Sequence, residues 1–252
     1  MTIHHAVVFG DCLRCFSMVP DCSIDLLLTD PPYGQDYSTG RKKHTIRKST
    51  RIMNDTADLD VPTLMREFNR VTKEESHAYI FTSWKTVDRW KKEFERYFVL
   101  KNILIWSKDN HTAGDLSWSY AQSYEMILFG MKGRKKLHGT RDRDSVYYPK
   151  VKSHHQMHLL QKPEQLIEYM IRKSSDPGDT VLDPFAGSGT VGMCCARLKR
   201  NSIQFEIDKR FKTSLLHRLR SGIPEGSLQE ISVGDGKRKR ATRAQRSPSD
   251  IQ

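Results

Sequence analysis

The sequence predicts an α/β fold built on a doubly wound, mostly parallel sheet. Short apolar runs alternate with amphipathic segments along nearly all of the 252 residues, which is typical of strands separated by crossover helices. Two of the apolar runs end abruptly in Asp-Pro, at Asp30 and at Asp183. Because ligands of such sheets bind beyond the carboxyl ends of the strands, these two turns mark the expected site.

The strands are predicted from short apolar runs bounded by turn residues. They are Asp25–Thr29, Ala78–Thr82, Asn102–Trp106, Tyr124–Phe129, Thr180–Asp183 and Ser202–Glu206. The helices are predicted from apolar residues three or four positions apart, as at Leu64, Phe68 and Val71. They are Val61–Thr72, Thr86–Phe98, Pro163–Lys173, Thr190–Lys199 and Lys209–Arg220. Pro62 and Pro163 suit the first turn of a helix.

The chain is strongly basic: 42 Lys and Arg residues against 30 Asp and Glu residues give a formal charge of +12. This balance favours a polyanionic partner, nucleic acid before a membrane. No apolar run approaches the ~18–20 residues that cross a bilayer. The first residues, Met1–His5, do not resemble a signal peptide, so we expect a cytoplasmic protein with no membrane partner.

The five cysteines are predicted to be core thiols. Cys12 and Cys15 have Cys-x-x-Cys spacing, but no second pair follows at the spacing of zinc ligands. The three histidines His154, His155 and His158 have no acidic residue at ligand spacing. The sequence therefore predicts no metal site.

The stretch Leu26–Gly34 reads Leu-Leu-Leu-Thr-Asp-Pro-Pro-Tyr-Gly, a buried strand followed by a carboxylate, a rigid backbone and an aromatic ring. Pro31 and Pro32 have no backbone N–H, so the carbonyls of this turn face outward as acceptors. Together with Asp30 and Tyr33, they suit a flat ring that carries an exocyclic amine. The alternative is a strand that merely ends in proline beside an exposed tyrosine.

The stretch Val181–Thr190 reads Val-Leu-Asp-Pro-Phe-Ala-Gly-Ser-Gly-Thr, a strand followed by a glycine turn that opens a helix. Gly187 and Gly189 let the backbone approach a ligand closely, and the free N–H groups at the helix start favour an anionic group. No lysine follows the last glycine, which excludes a Walker-type phosphate loop. Glu206 ends the next predicted strand, where an acid can accept both ribose hydroxyls of a nucleoside.

These motifs resemble the DNA amino-methyltransferases that use S-adenosyl-L-methionine, specifically the permuted beta group. In that group an Asp-Pro-Pro-Tyr half precedes a Phe-x-Gly-x-Gly half, as it does here. The resemblance spans roughly Val8–Leu219 and includes the pattern His158–Pro163, where Leu159 replaces the usual proline. It implies a Rossmann-like, seven-stranded methyltransferase sheet with a circularly permuted motif order.

The resemblance also implies one methyltransferase domain over residues 1–233. Its parts are a catalytic half over residues 8–130, a short target-recognition insert over 131–156 and a cofactor-binding half over 157–221. The remaining segment, 234–252, is basic and lacks aromatic residues, so we expect a disordered tail.

S-adenosyl-L-methionine is the cofactor that the resemblance implies. Asp183 would hold its amino group, Glu206 its ribose and Asp11 its adenine amine. A plain turn residue is the alternative for Asp11, and an ordinary helix-start lysine is the alternative for Lys162, which otherwise reaches the cofactor carboxylate. The implied cofactor-binding residues are Asp11, Cys12, Lys162, Asp183, Phe185, Ala186, Gly187, Ser188, Gly189, Thr190 and Glu206.

The implied catalytic residues are Asp30, Pro31, Pro32 and Tyr33. The Asp30 carboxylate and the Pro31 carbonyl would accept the hydrogens of an exocyclic amine, while Tyr33 stacks on the base. Methyl transfer is then direct and depends on positioning and electrostatics. A stacked duplex base reaches such a pocket only after it has been flipped out of the helix.

Double-stranded DNA is the implied partner, and two basic stretches are expected to contact it. The first follows Tyr33 and has no acidic residue between Tyr37 and Asn54, which suits phosphates. The second is the insert, whose arginines would contact guanine edges or phosphates. The candidate residues are Arg41, Lys42, Lys43, Arg47, Lys48, Arg51, Arg134, Arg141 and Arg143. The shortness of the insert predicts a short recognition site or loose selectivity.

The target base is predicted from the first residue of the catalytic motif. Within the family, aspartate there is commoner in adenine-N6 enzymes, so Asp30 favours adenine, with cytosine-N4 as the alternative. RNA and protein-glutamine methyltransferases commonly carry Asn-Pro-Pro-Tyr after the cofactor motif, and both features differ here. A non-catalytic DNA-binding protein is a further alternative. The resemblance allows a homodimer and a cognate restriction endonuclease, but the sequence selects neither.

Overall fold

The computed structural model describes residues 2–33, 59–109, 117–118, 120–149 and 161–233. These residues form a nine-stranded sheet and six α-helices. The strands are β1 His5–Phe9, β2 Ile24–Thr29, β3 Thr72–Thr82, β4 Val99–Ser107, β5 Tyr124–Lys132, β6 Ser145–Tyr147, β7 Thr180–Asp183, β8 Asn201–Glu206 and β9 Leu228–Ser232. The helices are α1 Cys12–Cys15, α2 Val61–Val71, α3 Val87–Phe94, α4 Glu164–Ser174, α5 Thr190–Arg197 and α6 Lys212–Gly222.

The strand order is β6-β4-β5-β3-β2-β7-β8-β1-β9. β5 is antiparallel to both of its neighbours, and the other described strand pairs are parallel. The predicted doubly wound, mostly parallel sheet is therefore confirmed. The strands beyond the expected seven are β6 and β9, which lie at the two edges of the sheet.

Each predicted strand lies within an observed strand, but β1, β6 and β9 are absent from the prediction. β6 and β9 are short and largely exposed, so they lack the continuous apolar run that identifies an inner strand. β1 is mostly buried, but it has only 5 residues and begins with a histidine.

The predicted helices all exist, with small shifts at their ends. α3 ends at Phe94 because the chain turns there towards β4, before the predicted end at Phe98. The last predicted helix opens with a 3₁₀ turn, Lys209–Phe211, ahead of α6. Pro62 lies in the first turn of α2 as expected, whereas Pro163 has extended backbone and immediately precedes α4. The first-turn prediction is thus wrong for Pro163.

The three leucines of β2 show that both faces of the sheet are covered. Leu27 packs in the cluster that contains Phe68 of α2, while Leu26 and Leu28 pack in the cluster that contains Met170 of α4. All three leucines are fully buried. The pairing of Leu26 with Val181 and of Leu27 with Leu182 sets the register of β2 against β7. It thereby fixes the position of the turn that follows.

The cysteines are free thiols. Cys15, Cys194 and Cys195 are buried as predicted, and Cys12 is half-buried. Cys22 is exposed because it lies in the turn before β2, so the core prediction is wrong at this position. No three His, Cys, Asp or Glu side chains form a potential metal site within the described ranges.

Several predictions fall on residues that the structure does not describe. They concern the basic loop after Tyr33, the three histidines near position 155 and the basic segment 234–252. None of the described helices is long and apolar enough to span a membrane.

Candidate active site

The two Asp-Pro turns lie side by side at the carboxyl edge of the sheet. β2 and β7 are parallel neighbours, with Leu26 paired to Val181 and Leu27 to Leu182. The Thr29 hydroxyl donates a hydrogen bond of 3.0 Å to Asp183 Oδ1, although the two residues are 154 positions apart. The fold thus joins the two motifs that the sequence singles out.

The Asp30 carboxylate is held from two sides. The Tyr33 hydroxyl donates to Oδ1 over 2.9 Å, and Lys162 Nζ donates to Oδ2. The Asp30 side chain is 22 % exposed, which leaves a path to it from solvent. Pro31 is buried and Pro32 half-buried beside it. The turn therefore presents a fixed carboxylate at the mouth of the site.

Glu125, at the start of β5, completes this part of the site. The Tyr33 hydroxyl shares its single hydrogen between Asp30 Oδ1 and Glu125 Oε2, the latter at 3.2 Å. Glu125 Oε2 also accepts from Lys162 Nζ over 3.2 Å, and its Oε1 atom lies 2.6 Å from Lys108 Nζ. Glu125 and Lys108 are absent from the predicted site. A signal for them exists, since Glu125 lies near the start of β5 and Lys108 just after β4, and the central residues of both strands are apolar.

The charges of this cluster depend on one another. Burial raises the pKa of Asp30, and the Lys162 ammonium opposes that rise. Burial also disfavours ionisation of Glu125, but Lys162 and Lys108 outweigh it and lower the pKa of Glu125 to about 2. Burial and the two carboxylates raise the pKa of Tyr33, which keeps its phenol protonated as a donor.

The second turn presents two further buried carboxylates. Asp183 Oδ1 accepts from the Phe185 backbone N–H over 3.1 Å. Glu206 accepts from the backbone N–H groups of Gly187 and Asp208, over 2.8 and 2.7 Å. Burial is the main cause that raises the pKa of Asp183 to about 7, and the same cause raises the pKa of Glu206 to about 7. Among the described residues, neither carboxylate forms an ion pair.

The glycine turn is anchored to the helices around it. Arg218 of α6 donates to the Ser188 carbonyl over 2.8 Å and to Thr190 Oγ1 over 3.2 Å. The same guanidinium reaches Glu164 at the start of α4 over 2.6 Å. Arg218, which is absent from the predicted site, thus holds the turn against α6 and α4.

A substitution at Gly189 shows how tightly this turn is packed. Gly189 has φ +74°, and a Cβ atom there would lie 2.4 Å from Leu215 Cδ1. We expect Gly189→Ala to lower the free energy of unfolding by about 2–3 kcal/mol through backbone strain and this clash. Gly226→Ala is the matched control, because Gly226 has φ +80° with nothing within 4 Å. Chemical denaturation should show a clearly larger loss for Gly189→Ala, and equal losses would contradict the proposed clash.

Asp11 and Cys12 lie at the outer end of the site. The Gly10 backbone N–H donates to the Glu206 carbonyl over 2.9 Å, which places Asp11 next to the end of β8. Asp11 Oδ1 accepts from the Leu13 N–H over 3.0 Å and caps α1. Burial raises the pKa of Cys12 to about 12, so its thiol stays neutral.

The structure separates the predicted DNA-contacting residues. Arg134, Arg141 and Arg143 are exposed. Arg134 follows β5 at the amino edge of the parallel strands, the edge opposite Asp30, so it is not beside the pocket. Arg141 and Arg143 precede β6. This strand runs parallel to β4 and ends with Tyr147 paired to Ser107. The other predicted contacts lie outside the described residues: Arg41, Lys42, Lys43, Arg47, Lys48 and Arg51.

A mostly parallel sheet with an antiparallel fifth strand, and two adjoining acidic turns at its carboxyl edge, define an α/β methyltransferase. The family model described as DNA methylase matches residues 24–216. The chain therefore belongs to the DNA methylase family of N6 and N4 methyltransferases, which confirms the resemblance seen in the sequence.

Two curated relatives are similar over most of their length. Type II methyltransferase M.HpaI of Haemophilus parainfluenzae is 29% identical, with 85% of this chain and 74% of the relative covered. DNA adenine methyltransferase YhdJ of Escherichia coli K12 is 27% identical, with 84% of this chain and 82% of the relative covered.

Solved structures share the fold. TTHA0409 of Thermus thermophilus, a proposed DNA modification methylase in complex with S-adenosyl-L-methionine, superposes with a TM-score of 0.67 at 21% identity and covers 91% of this chain and 99% of its own. The PvuII DNA methyltransferase, which is cytosine-N4-specific, also has a TM-score of 0.67, at 18% identity, and covers 91% of this chain and 96% of its own. At these identities the likeness concerns the fold.

Proposed function

We propose that this protein transfers a methyl group from S-adenosyl-L-methionine to the N6 amine of adenine in double-stranded DNA. The observation that carries the proposal is the Asp30 carboxylate at the end of β2, next to the acidic turn that follows β7. Membership of the DNA methylase family and the adenine methyltransferase among the curated relatives support it.

The acidic turn fits the proposed cofactor. Asp183 and Glu206 are buried carboxylates, which suit a cationic amino group and a pair of ribose hydroxyls. Thr190 and the backbone at the start of α5 would face the cofactor carboxylate. When bound, S-adenosyl-L-methionine supplies an electrophilic methyl group on a sulfonium. Phe185, Ala186 and the adjacent glycines would enclose it, with Asp11 near the adenine.

The first turn is suited to activate the target amine. The lone pair of an exocyclic amine is delocalised into the base, and acceptors on its hydrogens favour a pyramidal, more nucleophilic nitrogen. Asp30 and the Pro31 carbonyl would supply these acceptors. The nitrogen–carbon bond forms as the carbon–sulfur bond breaks, and the methylated amine then loses a proton to water. The barrier is lowered by positioning and electrostatics, without a covalent intermediate.

Tyr33 would stack on the base once it has been flipped out of the duplex. Its hydroxyl is fixed by Asp30 and Glu125, so the ring has a defined orientation. Burying one aromatic face against a base offsets part of the unstacking cost. Lys162 contacts Asp30 in this structure, and its predicted role at the cofactor carboxylate remains a proposal.

The finer predictions about assembly and location also remain proposals. We propose a cytoplasmic enzyme with one methyltransferase domain over residues 1–233, in which the segment 131–156 contributes to recognition of the target sequence. Cytosine-N4 methylation is the alternative activity, since an exocyclic amine on either base suits the same acceptors. A homodimer and a cognate restriction endonuclease are compatible with this function.

The proposed reaction is tested by analysing its product. Purified protein with tritiated S-adenosyl-L-methionine should label unmethylated duplex DNA, and digestion to nucleosides should yield N6-methyldeoxyadenosine. DNA that the enzyme has already methylated to completion is the control and should take up no further label. N4-methyldeoxycytidine as the product would show that the target base is cytosine instead of adenine. Absence of label on any DNA would contradict methyltransferase activity.

A further inference from the structure

Four charged side chains alternate in sign along one wall of the candidate site. Lys108 contacts Glu125 over 2.6 Å, Glu125 contacts Lys162 over 3.2 Å, and Lys162 contacts Asp30. Their side chains are between 9% and 22% exposed. These contacts join the ends of β2, β4 and β5 to the segment just before α4, so they connect four parts of the chain around one carboxylate.

We propose that Lys108, Glu125 and Lys162 are positioning residues that hold the Asp30 carboxylate in the orientation that the target amine requires. This inference rests on the proposed function and adds three residues to its mechanism. None of the three touches the reacting atoms in this proposal. Lys162 acts directly on Asp30, Glu125 acts through Lys162 and Tyr33, and Lys108 acts through Glu125.

The orientation of Asp30 follows from its two hydrogen bonds. Tyr33 donates to one oxygen and Lys162 to the other, so both oxygens are fixed in place. Each carboxylate oxygen has two lone pairs, and each therefore keeps one for a hydrogen of the substrate. A carboxylate held in this way is preorganised, and a misplacement of about 1 Å can cost about 100-fold in rate.

Glu125 ties the two donors together. Its Oε2 atom accepts from both Tyr33 and Lys162, so the two groups that hold Asp30 are themselves held at one point. Lys162 Nζ also lies 5.0 Å from the centre of the Phe81 ring, which restricts the ammonium further. Lys108 balances the charge of Glu125, so the four groups together are neutral.

The charge state of Asp30 follows from the groups that face it. Lys162 favours its ionised form, whereas burial, Glu125 and the nearby Asp183 disfavour it. Removal of Lys162 should therefore raise the pKa of Asp30, and removal of the Glu125 charge should lower it. These opposite directions distinguish an electrostatic role from simple structural damage.

The test uses Lys162→Met and Glu125→Gln in the full-length protein. We expect each variant to lower kcat by about 100-fold, from the misplacement of Asp30. The acidic limb of the kcat profile should move to higher pH in Lys162→Met and to lower pH in Glu125→Gln. Lys73→Met and Glu93→Gln are matched controls, because Lys73 pairs with Asp25 over 2.7 Å and Glu93 with Arg96 over 3.0 Å, both away from the site.

A second measurement does not depend on turnover. Carbon-13 NMR of aspartate carboxyls in the protein without cofactor should show the Asp30 titration, assigned by the signal that Asp30→Ala removes. Lys162→Met should shift this titration upward and Glu125→Gln downward. Unchanged Asp30 titration in both variants would overturn the inference, as would shifts in the same direction.

The outcomes separate this inference from the proposed function. If the unaltered protein methylates no DNA, the proposed function fails. The Asp30 titration still shows whether Lys162 and Glu125 control the charge of Asp30. If Lys162→Met instead weakens S-adenosyl-L-methionine binding more than tenfold and leaves the Asp30 titration unchanged, Lys162 is a cofactor contact and the positioning role is wrong.

Discussion

Asp30→Ala is expected to lower the rate of methyl transfer by about 1,000-fold while S-adenosyl-L-methionine still binds. The variant removes the anionic acceptor that would polarise the target amine, and loss of one such preorganised group costs about 100- to 1,000-fold. It also leaves Lys162 with Glu125 as its remaining described carboxylate partner, so the excess positive charge disfavours the positive charge that develops on the target nitrogen during transfer. Single-turnover transfer of tritiated methyl to duplex DNA measures the effect, and equilibrium titration of the cofactor measures binding.

The matched control is Asp25→Ala, on the same strand. Asp25 also pairs with a lysine, Lys73, over 2.7 Å, and it accepts from the Thr180 N–H over 2.9 Å, but it lies near the opposite end of β2. We expect Asp25→Ala to lower stability and to leave the rate per folded molecule within about twofold of the unaltered protein. Equal rates for Asp30→Ala and Asp25→Ala would exclude Asp30 from the chemistry.

The inner strands other than β1, and the two turns, could be predicted because local sequence determines them. Leu26, Leu27 and Leu28 form a continuous apolar run, which is typical of a strand buried on both faces, and the prolines after them end it. The glycine turn carries its own signal, since Gly187 and Gly189 both adopt positive φ. The edge strand β9 mixes half-buried and exposed residues, so its apolar signal is weak.

The partners of Asp30 could not be predicted in the same way, because they depend on long-range packing. Lys162 is 132 positions from Asp30 along the chain, and Glu125 is 92 positions from Tyr33. The resemblance directs Lys162 towards the cofactor, whereas the structure pairs it with two carboxylates. A charged residue at the end of a largely apolar strand indicates that its charge is paired with another residue, but the sequence does not specify which one.

The acidic turn leads to a prediction about pH. The pKa values of Asp183 and Glu206 are both about 7, raised above their ordinary values by burial. A cationic cofactor binds the ionised carboxylates, so its affinity should rise with pH, by about tenfold for each group between pH 6 and pH 8. In the protein without cofactor, the effect of pH on stability has the opposite sign to its effect on cofactor affinity. The folded protein holds more protons than the unfolded chain between about pH 4 and pH 7, so the contribution of these two groups to stability falls as pH rises over that range.

Asp183→Asn isolates one of the two groups. We expect the variant to bind S-adenosyl-L-methionine about 100-fold more weakly at pH 8, because the amide carries no charge for the amino group and the lost ion contact is buried. The increase in its affinity between pH 6 and pH 8 should be about tenfold smaller than in the unaltered protein, since Glu206 is then the only one of the two groups that titrates. Isothermal titration at pH 6, 7 and 8 measures both effects, and denaturation of the cofactor-free variant should show a shallower loss of stability between pH 4 and pH 7. An affinity that stays constant with pH in the unaltered protein would show that neither carboxylate binds the cofactor through its charge.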